Sequence, residues 1–221
     1  MNDVYSNITA GFFSGYISNK ITYPLDTIKV WKQTNSYQKI NLNNLYRGCF
    51  YPSVVAGVIN STLFSSNYFL YNHTQNHYIS GAITGITFSF FINPVDYYKI
   101  QKQNNLDYNK TTFKNKIFRG FPLTFLRESI GTSIYFGSFN YLKKDYGTFL
   151  GGGISGTLSW ISTYSIDVVK TRIQKNNNLS YIKSIRSGNL YTGIGICCLR
   201  GFLCNSITFF SFEKIKTYNI I

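Results

Sequence analysis

The sequence is poor in charge, in acidic residues and in proline. Charged residues make up 14% of the 221-residue chain, against roughly 25% in a typical soluble domain. Only 8 residues are acidic and 22 are basic, and proline occurs 4 times, whereas tyrosine and phenylalanine occur 19 times each. This composition is not typical of a soluble enzyme. It favours a protein with large surfaces that do not face water.

Charge is absent from two long stretches. No Asp, Glu, Lys or Arg occurs in the 48 residues Gly48–Val95, or in the 21 residues Tyr146–Ile166. The first stretch has room for two membrane-spanning helices of about 20 residues. Nucleic-acid-binding proteins are also basic, but they intersperse basic residues through the fold. The charge distribution therefore favours a membrane protein and no nucleic-acid partner, although the mean hydropathy of −0.08 is low for that class.

The sequence offers no catalytic or metal-binding motif. The four cysteines lack metal-ligand spacing, and the adjacent Cys197 and Cys198 point in different directions on a helix. His73 and His77 share one predicted turn without a nucleophile beside them. The first ten residues hold one Asp and no Arg, so no signal or transit peptide is apparent. We expect no enzyme activity, no cofactor and no metal.

A motif occurs three times along the chain. Each copy has an Asp, a Lys three residues later and a Gln four residues after that. The Asp residues are 70 and 71 positions apart, and a glycine pair upstream and an aromatic-basic-glycine step downstream recur in nearly the same register. In the third step Thr192 replaces the basic residue. The copies are YPLDTIKVWKQ (Tyr23–Gln33), NPVDYYKIQKQ (Asn93–Gln103) and YSIDVVKTRIQ (Tyr164–Gln174).

Each copy predicts two helices. The glycine pair begins a helix that another helix can approach closely, Pro24 or Pro94 bends it, and the aromatic-basic-glycine step begins the second helix. We therefore predict an all-α membrane protein with six transmembrane helices in three tandem two-helix repeats around a central cavity. The repeats are 1–75, 76–146 and 147–221 of one transmembrane domain. Both termini then lie on one side, opposite the basic connections, which should face the matrix or cytosol.

The triple motif resembles the mitochondrial carrier family, whose odd-numbered helices end in Pro-x-acidic-x-x-basic. The resemblance covers essentially the whole chain, although repeats in that family are nearer 100 residues. It implies a monomeric, multi-pass transporter of the mitochondrial inner membrane that exchanges a small charged metabolite by alternating access. The many Asn, Ile, Lys and Tyr residues are typical of AT-rich genomes, such as those of parasites or large DNA viruses. For a virus, the membrane would be that of the host mitochondrion.

The resemblance implies a gate at each end of the cavity. The matrix gate would be three ion pairs braced by glutamines: Asp26–Lys99, Asp96–Lys170 and Asp167–Lys29, with Gln33, Gln103 and Gln174. The cytoplasmic gate is expected to be weaker. Phe212-Glu213 with Lys216 retains the family pattern, Phe139-Asn140 with Lys143 has lost its acid, and Tyr71-Asn72 with Gln75 has lost both charges. Gly48, Gly120 and Gly193, in the aromatic-basic-glycine steps, correspond to cardiolipin sites.

The resemblance also implies a substrate site on the even-numbered helices. The contact positions are Val55, Arg127 and Arg200, with Glu128 following Arg127 and Lys20 as a further candidate. Charged side chains within a membrane normally have a partner or a ligand. Trp160 and Ser89 are expected at a similar depth.

The substrate implied by Arg-Glu at the second contact position is an amino acid, a carnitine or a related zwitterion. Two arginines with Lys20 would also serve a nucleotide or deoxynucleotide antiporter, which stays open as the alternative. A single-stranded nucleic-acid-binding protein and a membrane enzyme are the rival classes.

Overall fold

The computed structural model describes residues 2–34, 45–46, 49–103, 118, 120–175, 180–191 and 194–218. Their side chains are included except at 2–4, 26–34, 95, 98–103, 175, 196 and 218. Helices α1 (Asn2–Thr34), α2 (Phe50–Thr74) and α3 (His77–Gln103) come first. The helical segment Phe121–Lys175 is divided at Gly147 into α4 (121–146) and α5 (148–175). The short α6 (Tyr181–Arg186) and the long α7 (Ile194–Tyr218) follow.

Proline and glycine act differently on these helices. Pro24 and Pro94 lie inside α1 and α3, which continue past them to the end of each signature motif. Gly147 has φ 75° and ψ 175°, a conformation that glycine adopts without a side-chain clash, so the chain turns there between α4 and α5. Within the described residues, no helix is both long enough and apolar enough to cross a membrane.

The long helices pack in chain order, and the order closes on itself. The contacts run from α1 to α2, from α2 to α3 and from α3 to the segment Phe121–Lys175. That segment then contacts α7, which returns to α1. The two arms of the segment also meet, since the Ser159 hydroxyl on α5 donates a 2.7 Å hydrogen bond to the Gly131 carbonyl on α4. The result is a ring of helices in which α1 and α7 are neighbours.

The glycine pairs let paired helices approach closely. A Cβ added to Gly15 on α1 would overlap the Ala56 carbonyl oxygen on α2, and one added to Gly85 on α3 would overlap the Glu128 carbonyl oxygen on α4. Neither position has room for a methyl group. The close approach places Glu128, and with it Arg127, against α3.

A short helix lies between α5 and α7. Arg172 at the end of α5 donates from Nη1 to the Ser184 carbonyl (3.0 Å) and the Ser187 hydroxyl (2.7 Å), and from Nη2 to the Asn189 carbonyl (3.3 Å). These bonds hold α6 and the turn after it against the end of α5.

Candidate functional site

The signature motifs bring α3, α4 and α5 together at one end of the ring, the signature end. Lys170 Nζ lies 2.5 Å from Asp96 Oδ2, and Lys170 is only 1% exposed. Gln174, one turn along α5, donates from Nε2 to Asn93 Oδ1 at 3.1 Å, and the Thr124 hydroxyl donates to the same oxygen at 2.7 Å. Gln174 thus links α5 to α3 through Asn93, next to the ion pair it was expected to brace.

Asp167 has a partner that the sequence did not indicate. Its Oδ1 lies 3.0 Å from Nε of Arg127, whereas the resemblance assigned it to Lys29. The side chains of the other expected gate residues fall outside the described residues: Asp26, Lys29, Gln33, Lys99 and Gln103.

Arg127 is the centre of a charged cluster between α4 and α5. Its Nη1 donates to Glu128 Oε1, its Nε faces Asp167, and its guanidinium carbon lies 5.5 Å from the centre of the Trp160 ring. Trp160 and Asp167 are seven residues apart on α5, which puts them on one helix face two turns apart. The Arg127 side chain is 19% exposed, so carboxylates and an aromatic face replace most of its water.

A cavity of about 170 Å³ lies beside this cluster. Arg127 and Glu128 are the charged groups of its described lining, and Trp160 forms part of the wall. A cation and an anion side by side can receive a molecule that carries both an anionic and a cationic group. The rest of the described lining is Asn60, Leu63, Gly131, Thr132, Tyr135, Gly156, Ser159, Thr163 and Asn205.

The other expected substrate residues lie elsewhere. Arg200 is half-buried near the start of α7, Val55 is 37% exposed on α2, and Lys20 is exposed beside the Tyr16 ring. None of the three is in the described lining of the cavity. Ser89 is fully buried, and its hydroxyl donates within α3. The described cavity therefore brings Arg127 together with Glu128 and Trp160, and not with Arg200.

The opposite end of the ring, the terminal end, has its own ion pair. Lys143 Nζ at the end of α4 lies 2.7 Å from Glu213 Oε1 near the end of α7. Lys216 Nζ lies 5.0 Å from the centre of the Tyr68 ring on α2. These residues line a second cavity of about 160 Å³.

The α2 residues expected at this end lie partly in the cavity. Tyr71 lines it together with Asn67, Tyr68 and Lys143. Asn72 is exposed, and Gln75, which ends α2 with φ 53°, is exposed as well.

A cluster of phenylalanines at the terminal end was missed by the sequence reading. Phe64, Phe136 and Phe209 are 5%, 5% and 1% exposed, and their ring centroids lie 5.5 to 6.5 Å apart. Phe139 stacks on Phe209 at 3.6 Å and Phe212 on Phe64 at 4.1 Å. We call these five residues the aromatic plug. The signal was present, since Phe64, Phe136 and Phe209 are separated by 72 and 73 residues, the same separations as the aromatic-basic-glycine steps.

The glycine of the second aromatic-basic-glycine step has a conformational role. Gly120 precedes α4 with φ 79°, and a Cβ there would lie 3.3 Å from Gln174 Cγ. Gly48 and Gly193 lie outside the described residues.

Comparison with known proteins agrees with the repeat. Residues 144–220 match a family model described as "Mitochondrial carrier protein". The chain is 27% identical over 277 aligned positions to mitochondrial ornithine transporter 1 of Schizosaccharomyces pombe, covering 98% of this chain and 93% of the relative. It is 24% identical to the mitochondrial arginine transporter BAC2 of Arabidopsis thaliana, covering 92% of this chain and 88% of the relative. Identity is also 24% to the human mitochondrial basic amino acids transporter, covering 95% and 89%.

Proposed function

Because this chain belongs to the mitochondrial carrier family, whose members are transporters and not enzymes, we propose that it exchanges an amino acid across the mitochondrial inner membrane. The observation that carries the proposal is the pairing of Arg127 with Glu128 in the wall of the cavity. A guanidinium binds a carboxylate through two parallel hydrogen bonds, and a carboxylate beside it accepts from an ammonium group. An amino acid carries both groups.

The charges around Arg127 favour an amino acid with a basic side chain. Among the described side chains, Arg127 and Lys170 supply two positive charges, while Asp96, Glu128 and Asp167 supply three negative ones. A substrate with one additional positive charge would balance the cluster. The names of the relatives, which include ornithine, arginine and basic amino acid transporters, support the same choice.

The same cluster does not suit a nucleotide. A polyphosphate needs several cations converging on one site. Of the three residues that made a nucleotide plausible, Arg127, Arg200 and Lys20, only Arg127 is in the described lining of the cavity, and Glu128 beside it is an anion.

The transport cycle follows from the two ends of the ring. We assign the signature end, with Asp96–Lys170, to the matrix gate and the terminal end, with Lys143–Glu213, to the cytoplasmic gate. The three repeats 1–75, 76–146 and 147–221 each contribute two membrane-spanning helices to a monomer. The basic connections lie on the matrix side, and Gly48, Gly120 and Gly193 bind cardiolipin between repeats. Opening one gate while the other is closed moves the substrate past Arg127.

Reconstituted exchange tests the proposed function. Purified protein in liposomes loaded with ornithine should take up external ornithine, arginine or lysine, and empty liposomes should take up little. Neutral amino acids, carnitine, ADP and deoxynucleotides are screened in parallel, with protein-free liposomes as the control. Exchange of nucleotides with no exchange of any amino acid or carnitine would reject the proposal.

A further inference from the structure

The carboxylate of Asp167 has one expected partner in the matrix gate and another in the described structure. Asp167 belongs to the third signature motif, whose acidic residues are expected to close the matrix gate. Its described partner is Arg127, at 3.0 Å from Nε, and Arg127 is in the wall of the cavity. The gate motif on α5 and the substrate cavity are therefore joined by one ion pair.

We propose that Asp167 is a positioning residue for the substrate. It pairs with the Arg127 guanidinium in the empty carrier, and the substrate's carboxylate displaces it when the substrate binds. The proposal rests on the proposed function, since it requires a substrate with a carboxylate. A released Asp167 is free to pair with a lysine of the matrix gate. Filling the cavity and forming the gate are then linked through this one side chain.

The geometry of the guanidinium supports competition. Arginine presents five N–H donors in a rigid plane, and a carboxylate binds best along one edge of it. Glu128 accepts a hydrogen bond from Nη1, whereas Asp167 forms an ion pair beside Nε that does not have hydrogen-bond geometry. A substrate carboxylate that seeks two parallel hydrogen bonds must displace one of them. Asp167 is the more readily displaced, since it lies on a different helix and its side chain is 29% exposed, against 11% for Glu128.

The energy of the pair suits a reversible exchange. The Asp167 side chain is 29% exposed, so water can solvate its carboxylate when it leaves Arg127. A substrate carboxylate with comparable contacts can replace Asp167 without a large cost. By contrast, Lys170 is almost fully buried on Asp96 and is not a candidate for such an exchange.

Two ligands that differ by one carboxylate test the proposal. Binding of ornithine and of 1,4-diaminobutane, the same carbon chain without the carboxylate, is measured on the purified full-length carrier by thermal shift. Removing the competitor with Asp167→Asn should raise ornithine affinity about two- to fivefold. Affinity for 1,4-diaminobutane should stay unchanged or fall. In liposomes the same variant should lower both KM and kcat for ornithine, and Asp167→Glu should restore part of both.

Asp96→Asn is the matched control. It removes an acid from the same position of another repeat, and its partner is Lys170, so kcat should fall with no gain in ornithine affinity. Equal changes for the two ligands in Asp167→Asn, or an unchanged ornithine KM, would overturn the proposal. A wild-type carrier that binds neither ligand would instead reject the amino-acid function, and the proposal with it.

Discussion

Phe64 on α2 and Phe212 on α7 stack face to face, with ring centroids 4.1 Å apart. This contact joins two helices far apart in the chain at the end where charge alone predicted a weak gate. The three-Phe core of the plug comes from equivalent positions of α2, α4 and α7, so movement of one of these helices disturbs the other two. Aromatic packing thus adds to the ion pair Lys143–Glu213 in joining the helices at the terminal end.

The aromatic plug predicts a leak when one ring is lost. Phe209 is 1% exposed and contacts Phe64, Phe136 and Phe139. Phe209→Leu keeps an apolar side chain but removes the ring contacts, worth about 0.5–1.5 kcal/mol each. Loaded liposomes with this variant should lose ornithine without external substrate, and the detergent-solubilised protein should melt at a lower temperature.

The neighbouring Phe210 provides the control for that experiment. It is 44% exposed, so Phe210→Leu should leave both efflux and melting temperature nearly unchanged. Equal effects of the two substitutions would argue against a gating role for the plug.

Removing the acidic residue should reduce folding stability more at the Asp96–Lys170 pair than at the Lys143–Glu213 pair. Lys170 is almost completely buried on Asp96, while the Lys143 and Glu213 side chains are 39% and 32% exposed. Breaking a buried pair by removing one partner costs about 3–5 kcal/mol, with the lower end expected because Asp96 is itself 29% exposed. An exposed pair contributes about 0–1 kcal/mol. Asp96→Ala should therefore lower the melting temperature clearly more than Glu213→Ala.

Charge reversal is the control for the exposed pair. Lys143→Glu and Glu213→Lys should each slow ornithine exchange, and the double variant should recover part of the rate because it restores a pair. Lys214→Glu reverses an exposed charge next to Glu213 and should change little. A double variant no better than the slower single variant would contradict the pairing.

The glycine pairs predict a sharp contrast between two alanine substitutions. A Cβ on Gly85 would overlap the Glu128 backbone carbonyl, whereas a Cβ on Gly195 meets nothing within 4 Å. Overpacking of this kind costs about 1–3 kcal/mol. Gly85→Ala should lower the melting temperature and weaken ornithine exchange by shifting Glu128, while Gly195→Ala should do neither. Tolerance of both would mean that α3 and α4 do not pack this closely.

The threefold repeat is the feature of the sequence from which most of the helical architecture could be predicted. The repeat led to the family resemblance, which implied the pairing of Asp96 with Lys170, and the structure places the two charged groups 2.5 Å apart. The same register contained the three central rings of the plug, but the sequence reading followed charges and not aromatic residues.

The contact between Arg127 and Asp167 was not readable from the repeat. The two residues occupy different positions in their repeats, so no recurrence relates them. Their contact depends on the rotation of α4 and α5 about their axes and on the axial shift of one helix relative to the other. Arg200 illustrates the same limit, since it is the equivalent of Arg127 by spacing but lies outside the described lining of the cavity.

Ornithine exchange by wild-type and Glu128→Gln protein, measured side by side in loaded liposomes, tests whether the Arg127–Glu128 pair binds an amino acid. The substitution keeps size and hydrogen bonding but removes the negative charge that should hold an ammonium group beside Arg127. We expect rapid ornithine exchange by the wild type and at least a tenfold loss in the variant, about 1.4 kcal/mol, with correct membrane insertion. The contrary result would be a wild-type protein that exchanges ADP but not ornithine, with ADP exchange unchanged or improved in Glu128→Gln.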